Sequence, residues 1–320
     1  MMHNFSVFIP LVVTLLFSVY GHAQMLGAGL VPPSKQKVLL SYMGSYQPET
    51  KFGDESTKAG LEKGMVTASV PVVKSDQDSW TVSAMANWID ISPDQPRRQD
   101  LYQFDFGLTY SRVIEDNRFW AMNGSFGSAS DKPFKDPSVN TLGASFFYVN
   151  PTSAETSWLF LVNYSNNRPI LNNIPLPGFA YTYIPSKTFR GTFGVPFAMI
   201  YWEFVDRWSV NLFTLIPWVV KTSVDYSING PMKVSLGLDF SQGTYYLYGR
   251  ENKKERLFYD EKRMYLGFKS PLSRQMMAEL EAGYSFDRKF FAAENYEVRP
   301  NDALHLGSSP YLKFALQAGF

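Results

Sequence analysis

The chain has 320 residues, no cysteine and a formal net charge of +1. Absence of cysteine excludes disulfide scaffolds, thiolate metal sites and thiol nucleophiles. The near-neutral balance lacks the basic footprint of a nucleic-acid partner. Hydrophobic residues make up 45% and aromatics 16% of the chain, yet no apolar run long enough for a membrane helix, about 20 residues, follows the N-terminus. A sheet that is apolar on one face only averages to such values.

Residues 1–23 read as a signal peptide. Phe5 to Tyr20 form its apolar segment, and Gly21-His22-Ala23 supplies small residues before a cleavage that leaves Gln24 first. The region before it carries His3 and no Lys or Arg. The alternative, an uncleaved anchor, would have to span the membrane with a stretch short for that task. Residues 24–320 are then one domain.

From there the pattern has period two almost throughout and helical period almost nowhere. Between Ser79 and Asp90, Trp80, Val82, Ala84, Ala86 and Trp88 share a face opposite Thr81, Ser83 and Asn87. Between Asp100 and Val113, Tyr102, Phe104, Phe106, Leu108 and Tyr110 oppose Gln103, Asp105, Thr109 and Ser111. The alternation returns at Leu142–Tyr148, Trp158–Tyr164, Val234–Phe240 and Leu280–Phe286. A soluble β-sandwich alternates too; the aromatics separate the two. Trp80 and Trp88 stand eight residues apart on one face, as do Tyr102 and Tyr110. At about 3.4 Å per residue and a tilt of about 40°, that spacing projects to roughly 21 Å, close to the apolar band between the two aromatic girdles of a membrane barrel.

Short turns are expected at 74–78, 115–117, 150–155, 229–231 and 271–275. Longer loops are expected near 48–60, 91–99, 130–138, 166–177, 249–261 and 287–310. Such alternation places the short turns in the periplasm and the loops outside. Between Phe179 and Trp218, Pro185, Pro196 and Pro217 interrupt the pattern, and proline cannot donate within a central ladder. If Pro196 and Pro217 are kinks the barrel has about 14 strands, and if they are turns about 16; the expectation taken is an all-β transmembrane antiparallel barrel of about 14 strands, within a range of 12–16. Around Asn229-Gly230 a two-residue hairpin would set inward Asp225 against outward Val234, a one-residue slip that flips every side chain. A three-residue connection instead pairs Asp225 with Ser235 and Lys221 with Asp239, and predicts a Lys221–Asp239 pair in the lumen.

The chain ends with Leu312, Phe314, Leu316, Ala318 and Phe320 on one face. It resembles the terminal recognition strand of outer-membrane proteins, read by the barrel assembly machinery through strand addition. Phe314, Leu316 and Phe320 are the expected signal; Ala318 departs from the aromatic often found there.

Candidate chemistry is sparse. His305 is the one histidine left after residue 23 and carries no hydrolase signature around it, so a solvated loop residue is expected rather than a catalytic one. Neither a metal nor a cofactor is expected. Inward positions include Asp105, Lys221, Asp225, Lys233, Asp239, Arg263, Lys269, Glu279 and Glu281, with Lys269 diagonally near Glu279. These side chains either tune a polar pore or brace a narrow barrel with ion pairs. The run Arg250-Glu251-Asn252-Lys253-Lys254-Glu255-Arg256 reads as a solvated loop, or as a contact for lipopolysaccharide phosphates.

Several phrases resemble an uncharacterised family of bacterial outer-membrane barrels, a domain of unknown function: Tyr183-Ile184-Pro185-Ser186-Lys187, Gly194-Val195-Pro196-Phe197-Ala198, Arg256-Leu257-Phe258-Tyr259-Asp260-Glu261, Gly283-Tyr284-Ser285-Phe286-Asp287-Arg288 and Phe290-Phe291. They span roughly 178–320. The resemblance implies a barrel in the outer membrane and no activity, with Asp260-Glu261 and Asp287-Arg288 as outer-loop ion-pair partners. Expected on these grounds is an exported barrel of a Gram-negative outer membrane, in contact with lipid and lipopolysaccharide. Its leading role is a passive channel for small polar or amphipathic solutes. A closed structural or surface-interaction barrel is the alternative, and a lipid-modifying enzyme the remotest reading.

Overall fold

The computed structural model describes residues 31–92, 100–115, 118–215, 219–298 and 303–320; the expected signal peptide lies outside them. The described chain is a closed antiparallel sheet. One tall sector begins with β1 (Leu39–Phe52), β2 (Asp54–Lys74), β3 (Asp78–Ser92), β4 (Leu101–Val113) and β5 (Phe119–Ser130). Next come β6 (Asn140–Pro151), β7 (Thr156–Ser165), β8 (Leu176–Tyr183), β9 (Phe189–Val195), β10 (Phe197–Val205) and β11 (Trp208–Leu215). The wall rises again through β12 (Val219–Asn229), β13 (Met232–Tyr245), β14 (Arg256–Pro271) and β15 (Met276–Ala293). It closes with β16 (Leu304–Leu306) and β17 (Ser309–Gly319).

Both β16 and β17 lie between β15 and β1, so they form one interrupted barrel strand and the wall has sixteen. Sixteen is the upper end of the expected range, and the prolines explain the difference from 14. Pro196 is a turn between β9 and β10, where its missing N–H costs no ladder bond. Strand β11 ends at Leu215 and β12 starts at Val219, also two strands rather than one kinked strand, although Pro217 itself lies outside the described residues.

The longest connections gather at one end, together with the tight turns at Gly53 and Pro196, and short ones occupy the other. The short turns 75–77, 114–118, 152–155, 184–188, 206–207, 230–231 and 272–275 share one end with Phe320. The opposite end carries 93–100, 131–139, 166–175, 246–255 and 294–303. Three expectations of loops are corrected there. Residues 48–60 are strand on both sides of a tight turn at Gly53, whose φ is +66°; β14 begins at Arg256; and β15 runs to Ala293. These stretches read as loops because they rise past the apolar band, where neither face has to be apolar. The 21 residues of β2 and 18 of β15 exceed the roughly 9–11 that a membrane strand needs, whereas the 7–9 residues of β8 to β11 lie at or just below it.

Alternation fixes which face is outside. In β3, Trp80 and Val82 are exposed, while Ser79, Thr81 and Ser83 are buried within. The same exposed apolar surface continues around the wall through Phe106, Leu108, Phe126, Phe160, Leu236, Leu266, Leu280 and Leu312. A continuous apolar band of this extent marks a surface that meets lipid or protein rather than water. The register at Gly230 (φ +54°) follows the face pattern: Lys221 pairs with Asp239 and Asp225 with Ser235, with an irregularity at Ser227/Asn229 absorbing the odd residue.

Candidate lumenal site

All nine predicted lumenal residues lie on inward positions, but they are not evenly spread. Asp105 stands alone on β4, where it accepts hydrogen bonds from Gln103 (2.7 Å) and Thr141 (3.3 Å). The other eight gather on β12 to β15 and are joined there by Lys313 of β17 and Lys63 of β2. Lys313 lies 2.7 Å from Glu281 and 3.7 Å from Glu279, and Lys221 is 4.0 Å from Glu281. Arg263 bridges Asp239 (3.3 Å) and Glu261 (3.5 Å), and Glu261 also meets Lys63 at 2.5 Å. Two pairings are corrected. Lys221 faces Asp239 in register, yet the guanidinium of Arg263 takes Asp239 and Lys221 turns to Glu281. Lys269 is directly opposite Glu279, not diagonal to it.

Sequence reasoning missed Glu261, the most connected of these groups. It is fully buried, and besides its two cations it accepts bonds from Gln47 (2.5 Å) and Ser285 (2.6 Å). Its position was legible from parity with Arg263, but the neighbouring Asp260 suggested a loop pair. In fact Asp260-Glu261 and Asp287-Arg288 are strand residues. Lys262 lies 2.6 Å from Asp287 and Lys289 3.8 Å from Asp260, while Arg288 is buried and bonds Gln47, Thr50 and the Gly307 carbonyl. An acid and a base at consecutive positions of a strand point to opposite faces, so each finds its partner on a neighbouring strand.

Lumenal tyrosines lie flat on the wall. Tyr265 faces Gly237, where an added Cβ would stand 2.3 Å from the ring. That glycine keeps the ring against the sheet instead of across the lumen. Lys233 lies 5.7 Å from the Tyr201 ring on the neighbouring low wall, and Asp225 accepts from Asn211 (2.8 Å) and Ser223 (2.7 Å). The low wall itself turns an apolar patch inward, with Ala121, Phe147, Leu159 and Ala180 packed against Leu161 and Phe197.

At the long-loop end the walls meet. Ala59 and Leu61 of β2, Ile89 and Ile91 of β3, Leu101 and Ala129 pack with Tyr245, Tyr259, Phe290 and Leu306 from the other side. Beyond Tyr245 the 246–255 connection crosses the mouth: Tyr246 N–H bonds the Ala129 carbonyl at 2.7 Å and pairs in parallel with Ser130. Strands β5 and β13 stand eight apart in a circle of sixteen, so this bond joins opposite walls. Arginines hold it with carbonyl oxygens rather than carboxylates. Arg250 donates to Leu247 (3.0 Å), Ser138 (2.7 Å) and Lys253 (3.0 Å), and Arg256 donates to Arg168 and Glu294. Burial lowers the guanidinium pKa of both Arg168 and Arg250 below the ordinary value. The expectation of a wholly solvated run at 250–256 is therefore corrected: its two end arginines are buried, and the residues between them, apart from half-buried Glu255, match it or come close.

At the other end the segment before β1 turns inside the wall. Gln36 is buried; its side chain donates to Ser111 (3.0 Å) and accepts from Ser79 (2.8 Å) and Thr81 (2.5 Å). No periodicity could have announced this, because one glutamine carries it.

The remaining predicted residues are placed as follows. Trp80 pairs with Tyr110 at the short-turn end (4.7 Å between rings), and Trp88 pairs with Tyr102 toward the other. The Tyr110 hydroxyl donates to Asp78 (2.6 Å) and that of Tyr102 to Asp100 (3.3 Å). From Trp80 the ring contacts continue through Trp120 and Phe146, and recur at Trp158–Tyr181 and Trp208–Tyr226. Phe314 and Phe320 are exposed on the outer face, with Leu316 half-buried. His305 is exposed, on the short strand β16 opposite Lys289 rather than in a loop. Among the described residues no group of His, Asp and Glu has the geometry of a metal site.

Residues 186–319 match the family model described as "Domain of unknown function (DUF6268)", within the 178–320 span that carries the resemblant phrases. No curated protein matches the chain. Among solved structures, the COG4313 outer membrane channel from Pseudomonas putida F1 is similar at 9% identity, covering 92% of this chain and 98% of that one, with a TM-score of 0.39. A Pseudomonas aeruginosa FadL homologue gives 10%, 92%, 93% and 0.40 in the same order. The Pseudomonas putida toluene transporter TodX gives 7%, 94%, 94% and 0.41.

Proposed function

We propose that the protein is a passive channel of a Gram-negative outer membrane, exported by a cleaved signal peptide, for small polar or amphipathic solutes. In this reading the short-turn end faces the periplasm, the long-loop end is the outer mouth, and the state described is shut. The barrel assembly machinery reads the strand ending in Phe320, lipid and lipopolysaccharide surround the wall, and no enzymatic step is involved. One observation carries the reading: a connection closes the mouth over a lumen that stays charged. Connection 246–255 lies across the mouth, while below it the wall keeps partly exposed charged side chains at Lys221, Lys233, Lys269 and Glu279. A purely structural barrel needs no charge there, because buried ion pairs contribute little stability compared with apolar packing.

The test is solute flux. Purified full-length protein in liposomes should admit small sugars slowly, and a variant with residues 247–254 replaced by a short glycine-serine linker should admit them much faster. If neither passes any solute, the channel reading falls. The meeting of the walls through Tyr245 and Tyr259 favours the second reading, a closed barrel whose loops are its working part.

A further inference from the structure

We propose that a cavity in the wall formed by β14, β15, β17, β1 and β2 is a binding site for a small monocarboxylate with an apolar body. It deepens the channel reading, on which its role in transport rests, but binding itself requires no conduction. At one level of the lumen the register aligns Met65, Met43, Ala315, Glu279 and Lys269 across five strands. Ala315 ends at Cβ between the longer Met43 and Glu279, and the level opens there into a cavity of about 50 Å³. At about 10–15 Å³ for each water-sized group, it takes a carboxylate and its first methylenes. Met43, Met65 and Met277 line it together with Lys269, Glu279 and Lys313.

The charges are not equivalent. Lys313 is already held by Glu281 at 2.7 Å and by Glu279 at 3.7 Å. Lys269, although opposite Glu279, makes no hydrogen bond and no ion pair within 4.0 Å among the described residues. Around the cavity two cations face one carboxylate, and that carboxylate is engaged by Lys313. What is left over is a single ammonium at the rim of a small methionine-lined space. An anion satisfies the ammonium through charge-assisted bonds. The thioether chains are soft and conform to an apolar body of varied shape. A neutral alcohol of equal length would gain only the second interaction.

Hexanoate and hexanol are the probes, titrated by calorimetry into the full-length barrel in a nonionic detergent. Hexanoate should bind saturably and hexanol about tenfold more weakly, since one charge-assisted contact separates them. Lys269→Met should lower hexanoate to the level of hexanol, and Lys269→Arg should keep it. Ala315→Leu fills the space and should remove both. Absence of saturable hexanoate binding by the unmodified protein overturns the proposal, as does equal binding of hexanol. So does unchanged hexanoate binding by a Lys269→Met variant that melts like the parent. A barrel that binds hexanoate but passes no sugar would keep this site and lose the channel. One that passes sugars without binding hexanoate would lose the site alone.

Discussion

Toward the long-loop end the opposing walls touch through Tyr245, Tyr259, Phe290 and their aliphatic neighbours, and a connection tied down by buried arginines lies over them. Toward the short-turn end β12 to β15 carry Lys221, Lys233, Lys269 and Glu279, partly open to the lumen. Strands β13, β14 and β15 contribute to both regions, so the difference is made within single strands. Apolar inward residues let two walls meet and exclude water. Charged ones hold them apart, because a carboxylate or ammonium pressed against an apolar wall loses hydration that nothing replaces. Closure is thus concentrated at one level of the lumen, and the rest of it can stay polar.

Glu261 sits where the two regions join: it holds Lys63, and Lys63 donates to the Tyr259 hydroxyl at 2.8 Å within the aromatic layer. Glu261→Gln leaves Lys63 and Arg263 without their shared counter-charge. The expected loss of stability is about 3–5 kcal/mol, read from denaturant unfolding in detergent. If the mutant also raises sugar flux, the ionic layer holds the aromatic one shut; if flux is unchanged, the layers are independent. Tyr245→Ala attacks the outer layer alone. It should cost about 3 kcal/mol as a cavity forms, and flux should rise by more than in Glu261→Gln. A Tyr245→Ala barrel that conducts like the parent would show that connection 246–255 suffices to close the mouth.

The parity of side chains was legible in the sequence because the membrane imposes it. Lipid must meet apolar side chains, so Trp80 to Trp88 and Tyr102 to Tyr110 announce their strands, and the register at Gly230 follows from face matching. Above the lipid that rule lapses. This is why residues 48–60 and the start of β14 read as loops, and why the aromatic layer at Tyr245 and Tyr259 went unseen. Ion-pair partners were illegible for another reason. Register places Lys221 opposite Asp239, but long side chains choose among several acids, and the planar guanidinium of Arg263 takes Asp239. Gln36 reaches β3 and β4 and connection 246–255 reaches β5, elements whose distance no local pattern encodes.

The charged region toward the short turns can be changed without touching closure. Lys233 lies beside the Tyr201 ring on an inward, half-exposed position, so Lys233→Glu reverses a charge the solute would pass. In a background with 247–254 replaced, the ratio of anion to cation permeability should fall about fivefold, measured as a reversal potential, with unfolding hardly altered. An unchanged ratio would place the solute path away from β10 and β13.

The smallest effect is expected on the outer face, where neither region is involved. Tyr110→Phe keeps the ring against Trp80 but removes the hydroxyl that donates to Asp78 at 2.6 Å. That bond lies at the rim, where water competes for both partners, so the loss should be about 0.5–1 kcal/mol. Flux and selectivity should stay as in the parent, because the ring points to lipid and its strand neighbours Thr109 and Ser111 still face inward. A Tyr110→Phe barrel with altered flux would show that the girdle sets the height of the wall, and with it the level at which the aromatic layer meets.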